Sequence, residues 1–452
     1  MRIRKDASQA APELQWYGKA FTRLKNERDR TTGLDLWTLQ AKMHASIRVG
    51  TQTIECIHGS WFFLPWHRAY LTAFEAIVAQ AVVLEGGPAD WALPYWNYGN
   101  AATRNLPDAF LQPALPSNPL WVSGRNPRGP GSAEAESASC LRETSFSTRS
   151  GRFGFGGPPQ GMIHTGGAAG ACENQPHNAI HRAVSGVMAT YDSPMDPIFW
   201  LHHCNIDRLW EVWRNLRRDA QGRPKDPTQP AWLDQPFRFL KFDGTPVSWT
   251  GRELLNTQQS LGYRYDPDPF AAPAPDVFRA APTRGPVEEA PPEVEQMLGA
   301  ADGPLVVHRQ PLSVEIRTEA PEAPPSRTRF AEVAARGPQF YLRLENVRSP
   351  EGIPGTYAAY LNAGDAADPA AHPQLLAGLI PGFGIMEASA NGGPGVTVSL
   401  EVTGVVNYLS RLGAWDPNLF RVSVVPYGDQ TAPTGYAASP GLTIGKISFH
   451  IV

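Results

Sequence analysis

The sequence predicts a mainly α-helical protein in which a helical-bundle core with long loops is followed by a β-sandwich-like C-terminal domain. Three observations lead to this expectation. Twelve of the 13 Trp precede residue 250, so the heavy aromatic core belongs to the first half of the 452-residue chain. Apolar residues recur at helical spacing in several segments of that half. After about residue 304, short runs alternate apolar and polar residues between turns, as antiparallel strands do.

Three helices are predicted in the first half. The first covers 36–47, where apolar residues follow helical spacing around His44. The second follows Pro65 over 67–84, and the third covers 196–218. Between them, residues 99–170 are rich in Gly, Pro and Ser, which predicts long loops over the helical core.

The second half is divided by two segments rich in Pro and Ala. Asp266–Gly303 is predicted to be a linker, and a similar segment spans Glu319–Arg336. Strands are predicted in the runs PLVVHRQPLSVEIRT, QFYLRLENV, GVTVSLEVTGVV, FRVSVVPYG and LTIGKISFHIV. We therefore divide the chain into a helical domain at 1–231, a connecting segment with the linker at 232–303, and a β-rich domain at 304–452.

The charge balance argues against two classes of partner. The chain has 40 basic and 43 acidic residues, a net charge of -3, and no Lys/Arg tract. We therefore expect neither nucleic acid nor an anionic membrane as a primary partner. No apolar run approaches the ~18 residues that a membrane span requires. The N-terminal segment lacks the apolar region of a signal peptide, which leaves two locations open: the cytoplasm, or export with a signal absent from this chain.

Histidines are concentrated in the helical half, where eight of the 11 His lie between residues 44 and 203. His177 and His181 fall one helical turn apart, a common metal-ligand spacing, and His203 lies on the next predicted helix. A parallel set lies earlier in the chain: His44, His58 and His67. Two such triads on neighbouring helices predict a two-metal site in the core of a bundle.

The ligand types favour copper over other metals. Mg, Ca and Mn prefer carboxylates, and di-iron bundle sites combine Glu with Glu-x-x-His. Neither triad includes a carboxylate in register, and neutral imidazoles suit copper or zinc. Zinc hydrolases usually include Asp or Glu, so two all-His sites favour copper, with a zinc hydrolase as one alternative. The remaining histidines are interpreted as packed or solvated side chains: His164, His202, His308, His372 and His450.

Four segments resemble the motifs of one known family. They are HGSWFFLPWHRAYL from His58 onward, LPYWNYG at 93–99, PHNAIH at 176–181 and SPMDPIFWLHHCNIDRLW at 193–210. They resemble the copper motifs and markers of the tyrosinase, catechol oxidase and haemocyanin superfamily. The resemblance implies a type-3 centre with two copper ions and O2 as co-substrate. Its implied ligands are His44, His58 and His67 on copper A, and His177, His181 and His203 on copper B.

The resemblance also implies roles for residues outside the two triads. Cys56 has the Cys-x-His spacing at which fungal tyrosinases link a sulfur to a copper ligand, which predicts a thioether from Cys56 to His58; a buried free thiol is the alternative. Glu173 and Asn178 match positions thought to hold the water that takes the phenol proton, although Glu173 could instead be a surface carboxylate. Tyr191 falls where tyrosinases place a residue over the site, so it would gate the site or turn outward.

Four further side chains receive supporting interpretations. Asp207, one turn after the third copper B histidine, is expected to accept a hydrogen bond from it or to pair with Arg208 or another Arg. Cys140 and Cys172 are a candidate pair, which would suit an exported enzyme. Cys204 is interpreted as a packed thiol.

The later segments resemble plant polyphenol oxidases. Residues 232–249 and 254–265 resemble their connecting segment, and the β-rich tail resembles a C-terminal domain that covers the copper entrance in latent forms. The resemblance implies an enzyme that oxidises small phenols and catechols to o-quinones with O2, including ortho-hydroxylation of monophenols. A catechol oxidase without monophenolase activity and a haemocyanin-like oxygen-binding protein are the alternatives.

Overall fold

The computed structural model describes most of the chain. The described residues are 1–111, 118–147, 154–267, 295–308, 310–318, 339–363, 372–428, 430–432, 435–439 and 441–451. Much of the predicted linker and the second segment rich in Pro and Ala lie outside these residues. In the described parts, a helical half is followed by two packed sheets.

The α-helices are concentrated in the first half of the chain. They are α1 (Ala11–Asn26), α2 (Leu36–Ala45), α3 (Phe63–Leu84), α4 (Ala138–Arg142), α5 (Ala179–Val184), α6 (Ile198–Leu216), α7 (Pro230–Leu233), α8 (Gly251–Leu254), α9 (Ile385–Ser389) and α10 (Thr403–Arg411).

The three predicted helices correspond to α2, α3 and α6. Asp35 caps α2 by accepting a hydrogen bond from the Thr38 N–H, and α2 ends before Ile47, where the chain enters a short hairpin. α3 begins two residues before Pro65, which therefore lies in the first turn, where its missing N–H costs no intrahelical bond.

The helical core is built around α3, which is buried on most of its surface and packs against α1 and α6. The Phe74 ring of α3 stacks on Trp200 of α6, with centroids 3.4 Å apart and planes 6° from parallel. α1, which the sequence reading did not predict, buries Leu14, Tyr17 and Leu24 along one face. The bias of Trp toward the first half thus reflects this aromatic core.

A buried group of charged side chains ties the helices together behind the histidines. Arg68 of α3 pairs with Asp207 and Glu211 of α6. Arg4, from the N-terminal strand, pairs with Asp207 at 3.1 Å and with Glu75 of α3 at 2.8 Å. Because each buried charge has an opposite partner, the network holds α3 and α6 in register at a tolerable desolvation cost.

The strands include short pairs in the helical half and the longer strands of the C-terminal domain. They are β1 (Arg2–Lys5), β2 (Ile47–Val49), β3 (Gln52–Ile54), β4 (Gly167–Ala168), β5 (Pro236–Leu240), β6 (Pro246–Thr250), β7 (Tyr263–Asp266), β8 (Gln296–Val307), β9 (Leu312–Arg317), β10 (Phe340–Val347), β11 (Thr356–Leu361), β12 (Leu376–Ile380), β13 (Val396–Glu401), β14 (Leu419–Tyr427) and β15 (Leu442–Ile451).

The C-terminal domain is a sandwich of two sheets, as predicted. One sheet has the order β4-β13-β10-β15-β8 and the other β12-β11-β14-β9. Alternate residues of the long strands, such as Leu342, Val422 and Ile447, fill the core between the sheets. β4 comes from the helical half and pairs in parallel with β13, so the two halves share a sheet.

Two parts of the second half differ from the sequence-based expectation. β8 starts at Gln296, inside the segment that we assigned to the connection, and pairs with β15. The run GVTVSLEVTGVV was predicted as strand, yet only its first part is β13. Val402, Val406 and Leu409 recur at helical spacing and are buried, so the rest of the run continues into α10.

None of the described helices is both long enough and apolar enough to cross a membrane.

Candidate metal centre

Three of the predicted ligands, His177, His181 and His203, converge at the ends of their side chains. The Nε2 atoms of His177 and His181 lie 3.1 Å apart, and each lies 3.3 Å from Nε2 of His203. All three rings are buried. α5 contributes His181, the tight turn before it contributes His177, and α6 contributes His203.

The opposite ring nitrogens fix two of these imidazoles. Nδ1 of His181 lies 2.6 Å from the Met188 carbonyl, and Nδ1 of His177 lies 2.8 Å from Oδ1 of Asn178. Because both partners are acceptors, Nδ1 carries the proton and Nε2 keeps a free lone pair that points inward. Burial also lowers the pKa of His177 to about 3, which keeps its ring neutral.

His44, His58 and His67 form the second group, with ring centroids 5.3 to 5.6 Å apart. Nδ1 of His44 donates to the Tyr191 carbonyl at 2.8 Å, and Nδ1 of His67 donates to the Phe63 carbonyl at 2.9 Å. Burial lowers the pKa of His44 to about 3. Three neutral rings are therefore available as nitrogen donors.

The β2–β3 hairpin brings His58 to this group. It returns the chain to the end of α2, where the Cys56 N–H donates to the His44 carbonyl at 3.2 Å. The His58 N–H then donates to the Ile163 carbonyl at 2.8 Å. His58 is thus held by backbone contacts on both sides, although it lies in a loop.

The two groups face each other across the packed helices α3 and α6. The rings of His67 and His203 are stacked, with centroids 4.5 Å apart and planes 18° from parallel. His58 and His177 approach to 5.9 Å between centroids. The arrangement therefore provides two adjacent three-nitrogen sites.

The donor atoms fit a pair of copper ions. Nε2 of His44, His58 and His67 is buried and has no hydrogen-bond partner among the described residues. Unsatisfied buried nitrogens are costly unless a cation accepts their lone pairs. A set of neutral imidazoles without carboxylates suits copper.

His202 lies closer to this centre than we predicted. Its ring stacks on His177 at 5.4 Å and contacts His181 at 4.9 Å, and its nitrogens fall within the copper B group. The interpretation as a packing residue remains compatible with these contacts, since the three converging Nε2 atoms belong to the other histidines.

Cys56 lies beside His58 as the sequence spacing suggested. Its sulfur is 3.2 Å from Nδ1 of His58 and is buried. His164, which we had interpreted as a packed or solvated side chain, lies on the other side of the sulfur, with Nδ1 at 3.4 Å and also 2.9 Å from the Cys56 carbonyl. No motif marks His164, because this contact spans more than a hundred residues of chain.

Glu173 is buried beside the histidines, which excludes the alternative of a surface carboxylate. The Gly59 N–H donates to both carboxylate oxygens, at 2.8 and 3.1 Å. Burial nevertheless raises the pKa of Glu173 to about 8. Gly59 cannot be replaced without strain, since its φ is +62° and an added Cβ would meet the Gly166 carbonyl.

Tyr191 turns inward over the site. Its ring lies 5.0 Å from His58 and 24° from parallel, and its hydroxyl donates to the His164 carbonyl at 3.2 Å. The alternative in which Tyr191 turns outward is therefore excluded for this structure.

Phe383, which sequence reasoning missed, reaches the centre from the C-terminal domain. Its ring stacks on His181 with centroids 4.1 Å apart and lies 5.8 Å from His58. A cavity of about 30 Å³ remains beside it, lined by Glu173, Asn178 and Tyr191, among others. This volume accommodates one or a few waters and no aromatic ring.

The structure defines the contacts of Asp207 and of the four cysteines more narrowly than the sequence did. Asp207 pairs with Arg68 and Arg4, whereas Arg208 donates to Asn205 and Asn97. All four cysteines are buried free thiols in this structure. Cys204 packs in the core beneath the Leu93 carbonyl, as expected for a packed thiol.

Comparison with family models divides the chain into three parts. The model described as the common central domain of tyrosinase matches residues 35–150 and 145–216. The polyphenol oxidase middle domain matches 226–274. A domain of unknown function matches 294–451.

Similar proteins extend the match over most of the chain. Tyrosinase HcTyr1 of Hahella sp. (strain CCB-MM4) is 32% identical over 420 residues, which cover 87% of this chain and 83% of that protein. The latent form of a chloroplastic polyphenol oxidase of Prunus armeniaca is 29% identical over 263 residues, or 50% of this chain and 42% of that protein.

Solved structures share the fold over the full length. Latent apple tyrosinase has a TM-score of 0.65 at 21% identity, with 100% of this chain and 97% of that chain covered. A latent aurone synthase has a TM-score of 0.68 at 20% identity, with 100% and 89% covered. Together with the identity to the Hahella protein over most of both chains, these matches show that the chain belongs to the tyrosinase and polyphenol oxidase family, which oxidises phenols at a binuclear type-3 copper centre.

Proposed function

We propose that this enzyme hydroxylates monophenols in addition to oxidising catechols to o-quinones. The observation that carries the proposal is Glu173, a carboxylate without a cationic partner in the described structure, which lines the cavity beside the histidines together with Asn178. A catechol loses its protons more readily than a monophenol does, so a base at this position matters most for the monophenol.

His44, His58 and His67 would hold one copper ion, and His177, His181 and His203 the other. The support for this assignment is that the Nε2 atoms of each group face inward, while Nδ1 of four rings donates to an acceptor of the protein. When bound, the copper pair activates O2 for oxidation of the aromatic ring.

Side chains of the protein accept the substrate proton and position the groups around the copper site. A phenol hydroxyl has a pKa near 10, so its proton must be removed as the substrate binds. Glu173 takes that proton through a water in the cavity, and the Gly59 N–H holds the carboxylate in place. Asn178 fixes the ring of His177 through Nδ1, and Tyr191 provides an aromatic wall over His58.

Cys56 and His58 form the predicted thioether in this proposal. The 3.2 Å contact between Sγ and Nδ1 places the sulfur against the ring of His58, and burial, which raises the pKa of the Cys56 thiol, keeps it protonated until the link forms. The S–H bond of Cys56 and one ring C–H bond of His58 break as the C–S bond forms, and the two electrons and two protons would reduce O2, the co-substrate, to H2O2. The mature peptide that contains both residues should then be lighter by two hydrogen atoms than the unlinked peptide. An unlinked mass in the copper-loaded protein would assign Cys56 as a free thiol.

The domain after about residue 304 covers the centre, so the described chain corresponds to a latent form. Phe383 lies on His181, and a cavity of about 30 Å³ leaves no room for a phenol ring. Small phenolic substrates therefore reach the histidines only when the segment around Phe383 moves away.

The proposed function is tested by comparing two substrates in one pair of variants. Oxygen uptake on tyramine and on catechol would be measured for Glu173→Gln after copper quantification, with exposed Glu351→Gln as the matched control. We expect Glu173→Gln to slow tyramine oxidation more than catechol oxidation. Equal losses on both substrates would overturn the assignment of Glu173 as the base. Oxidation of catechol but not of tyramine by the parent would assign the chain as a catechol oxidase, and oxygen binding without quinone formation would identify an oxygen carrier.

A further inference from the structure

Cys140 and Cys172 lie side by side outside the copper ligands. Cys140 belongs to α4, and Cys172 directly precedes the turn that carries Glu173 and His177. α4 and this turn contact each other, and interaction with the Cys172 thiol is one of the causes that raise the pKa of Cys140. Both side chains are buried, with 1% and 0% of their surfaces exposed, and the Cys140 S–H donates to the Ser137 carbonyl at 3.1 Å. In this structure both are reduced.

The other two cysteines have different surroundings. Cys204 faces the Leu93 carbonyl and the Tyr265 hydroxyl, and Cys56 lies between His58 and His164. Among the described residues, Cys140 and Cys172 are thus the cysteine pair that lies on two contacting elements and whose thiols interact with each other.

We propose that Cys140 and Cys172 form a disulfide when the protein matures under oxidising conditions. The two S–H bonds break and one Sγ–Sγ bond forms, while two electrons and two protons reduce one molecule of a small disulfide such as oxidised glutathione to two thiols. Because both thiols are buried in the folded chain, exchange takes place before this region packs, and the bond is afterwards protected from reductants.

The bond would fix the turn that carries the proposed base. The Cys172 N–H already donates to the Phe155 carbonyl at 3.2 Å, and the Asn174 N–H donates to the Gly170 carbonyl at 2.8 Å. These backbone bonds hold one end of the turn to the loop before it. A covalent link to α4 adds a second anchor and closes the intervening loop, which stabilises the folded chain mainly by restricting the unfolded one.

The four cysteines allow one experiment to distinguish their states. The full-length protein would be folded with excess oxidised glutathione, loaded with copper and purified without reductant. It would then be unfolded in iodoacetamide, digested and analysed by mass spectrometry. We expect Cys204 to be alkylated at once, and Cys140 and Cys172 to be alkylated only after reduction and to appear as linked peptides before it.

The same digest separates this proposal from the proposed function. A thioether at Cys56 would resist both the alkylating agent and the reductant, whereas a disulfide yields to the reductant. Full alkylation of Cys140 and Cys172 without reductant would overturn the disulfide, whatever the state of Cys56 and whatever the activity on phenols.

A second measurement follows the stability of the folded protein. Reductant should lower the melting temperature of the oxidised parent and of the control variant Cys204→Ser by a few degrees, about what loss of one loop-closing link gives in a chain of this size. The same reductant should lower the melting temperature of Cys140→Ser and of Cys172→Ser by less, since in these variants it acts only on the bound copper. Equal shifts in all four proteins would contradict the proposal.

Discussion

Glu173 is subject to two opposing effects. Burial disfavours its charged form, whereas the Gly59 N–H, 2.8 Å from one carboxylate oxygen, favours it. Burial prevails and raises the pKa of Glu173 to about 8. In the covered chain the carboxyl is therefore mostly protonated at neutral pH, and it becomes available as a base as the pH rises through about 8.

The pH dependence of monophenol oxidation should follow the ionisation of the Glu173 carboxyl. A group whose pKa is raised gains its charge on the alkaline side, so kcat/KM for tyramine should rise as the pH passes through about 8. When the covering domain is displaced and water reaches Glu173, this rise should move to lower pH. The measurement is the pH profile of oxygen uptake, and an identical rise in Glu173→Gln would assign it to another group, such as the phenol itself.

Residues with a motif could be predicted, and residues defined by distant contacts could not. His177 and His181 were predicted because ligand spacing on a helix is a local property. His58, which lies in a loop, was predicted from the motif that it begins. Glu173 lines the same cavity as Phe383, which lies about two hundred residues later in the sequence, so no local pattern could show its surroundings. Neither Phe383 nor His164 has a local signal, since each acts only through a contact formed by the folded chain.

At the scale of elements, β1 acts as a brace for the two helices that carry His67 and His203. Arg4 reaches from β1 to Glu75 on α3 and Asp207 on α6. β1 itself is held by parallel pairing with β7, so a strand at the start of the chain supports the centre from behind.

Replacing Arg4 should destabilise the protein strongly. Arg4→Met leaves Glu75 and Asp207 buried with one cation fewer, and removal of one partner from a buried ion pair costs about 3–5 kcal/mol. Lys5→Met is a matched control on the same strand, because its pair with Glu13 lies at the partly exposed surface, where such a pair is worth about 0–1 kcal/mol. The free energy of unfolding, measured by chemical denaturation, should separate the two variants; similar values would show that the network contributes little.

The elements themselves were predictable to different degrees. α3 and α6 have long apolar periods and were predicted almost to their ends. α10 carries an equally clear helical period, which was hidden because it continues directly from β13. β4 has two residues and depends on pairing with β13, so no sequence pattern could reveal it.

At the scale of the whole molecule, strand pairing, apolar packing and an aromatic contact join the C-terminal domain to the helical half, besides hydrogen bonds such as that from Asn174 to the Leu379 carbonyl. β4 pairs with β13, Ala179 of α5 packs against Tyr360 and Leu379 of the four-stranded sheet, and Phe383 fills the space over His181. Strand pairing and apolar packing would hold the proposed cover in place, and in this proposal the ring of Phe383 closes the site.

Shortening Phe383 should open the site without removing the cover. Phe383→Ala deletes the ring that stacks on His181. Removal of a buried aromatic side chain lowers the free energy of unfolding by about 3–5 kcal/mol. We expect catechol oxidation by the latent protein to increase severalfold at unchanged copper content. Tyr436→Ala, at an exposed position of the same domain, is the control; an unchanged rate in Phe383→Ala would mean that closure does not depend on this ring.

Glu387 makes the attachment of the cover sensitive to pH. It lies on α9, just after Phe383, and its carboxyl faces the backbone N–H of Tyr191 in the helical half, which favours the charged form. Its surroundings contain the like charge of Asp192, which is itself paired with Lys42 at 2.7 Å. Partial burial is the main cause that raises the pKa of Glu387 to about 7.

The sign of the effect follows from this raised pKa. With the cover displaced, Glu387 would titrate near the ordinary value of about 4.3, so the docked state favours the protonated carboxyl. Docking is therefore strongest below about pH 4 and weakens as the pH rises toward 7, where the carboxyl ionises in the docked state as well. Glu387→Gln keeps an acceptor for the Tyr191 N–H and removes the titration. The measurement is the rate of catechol oxidation at each pH, divided by the rate of Phe383→Ala at the same pH. This ratio should rise with pH in the parent and stay constant in Glu387→Gln. If the ratio follows the same curve in both proteins, the pH response belongs to another group.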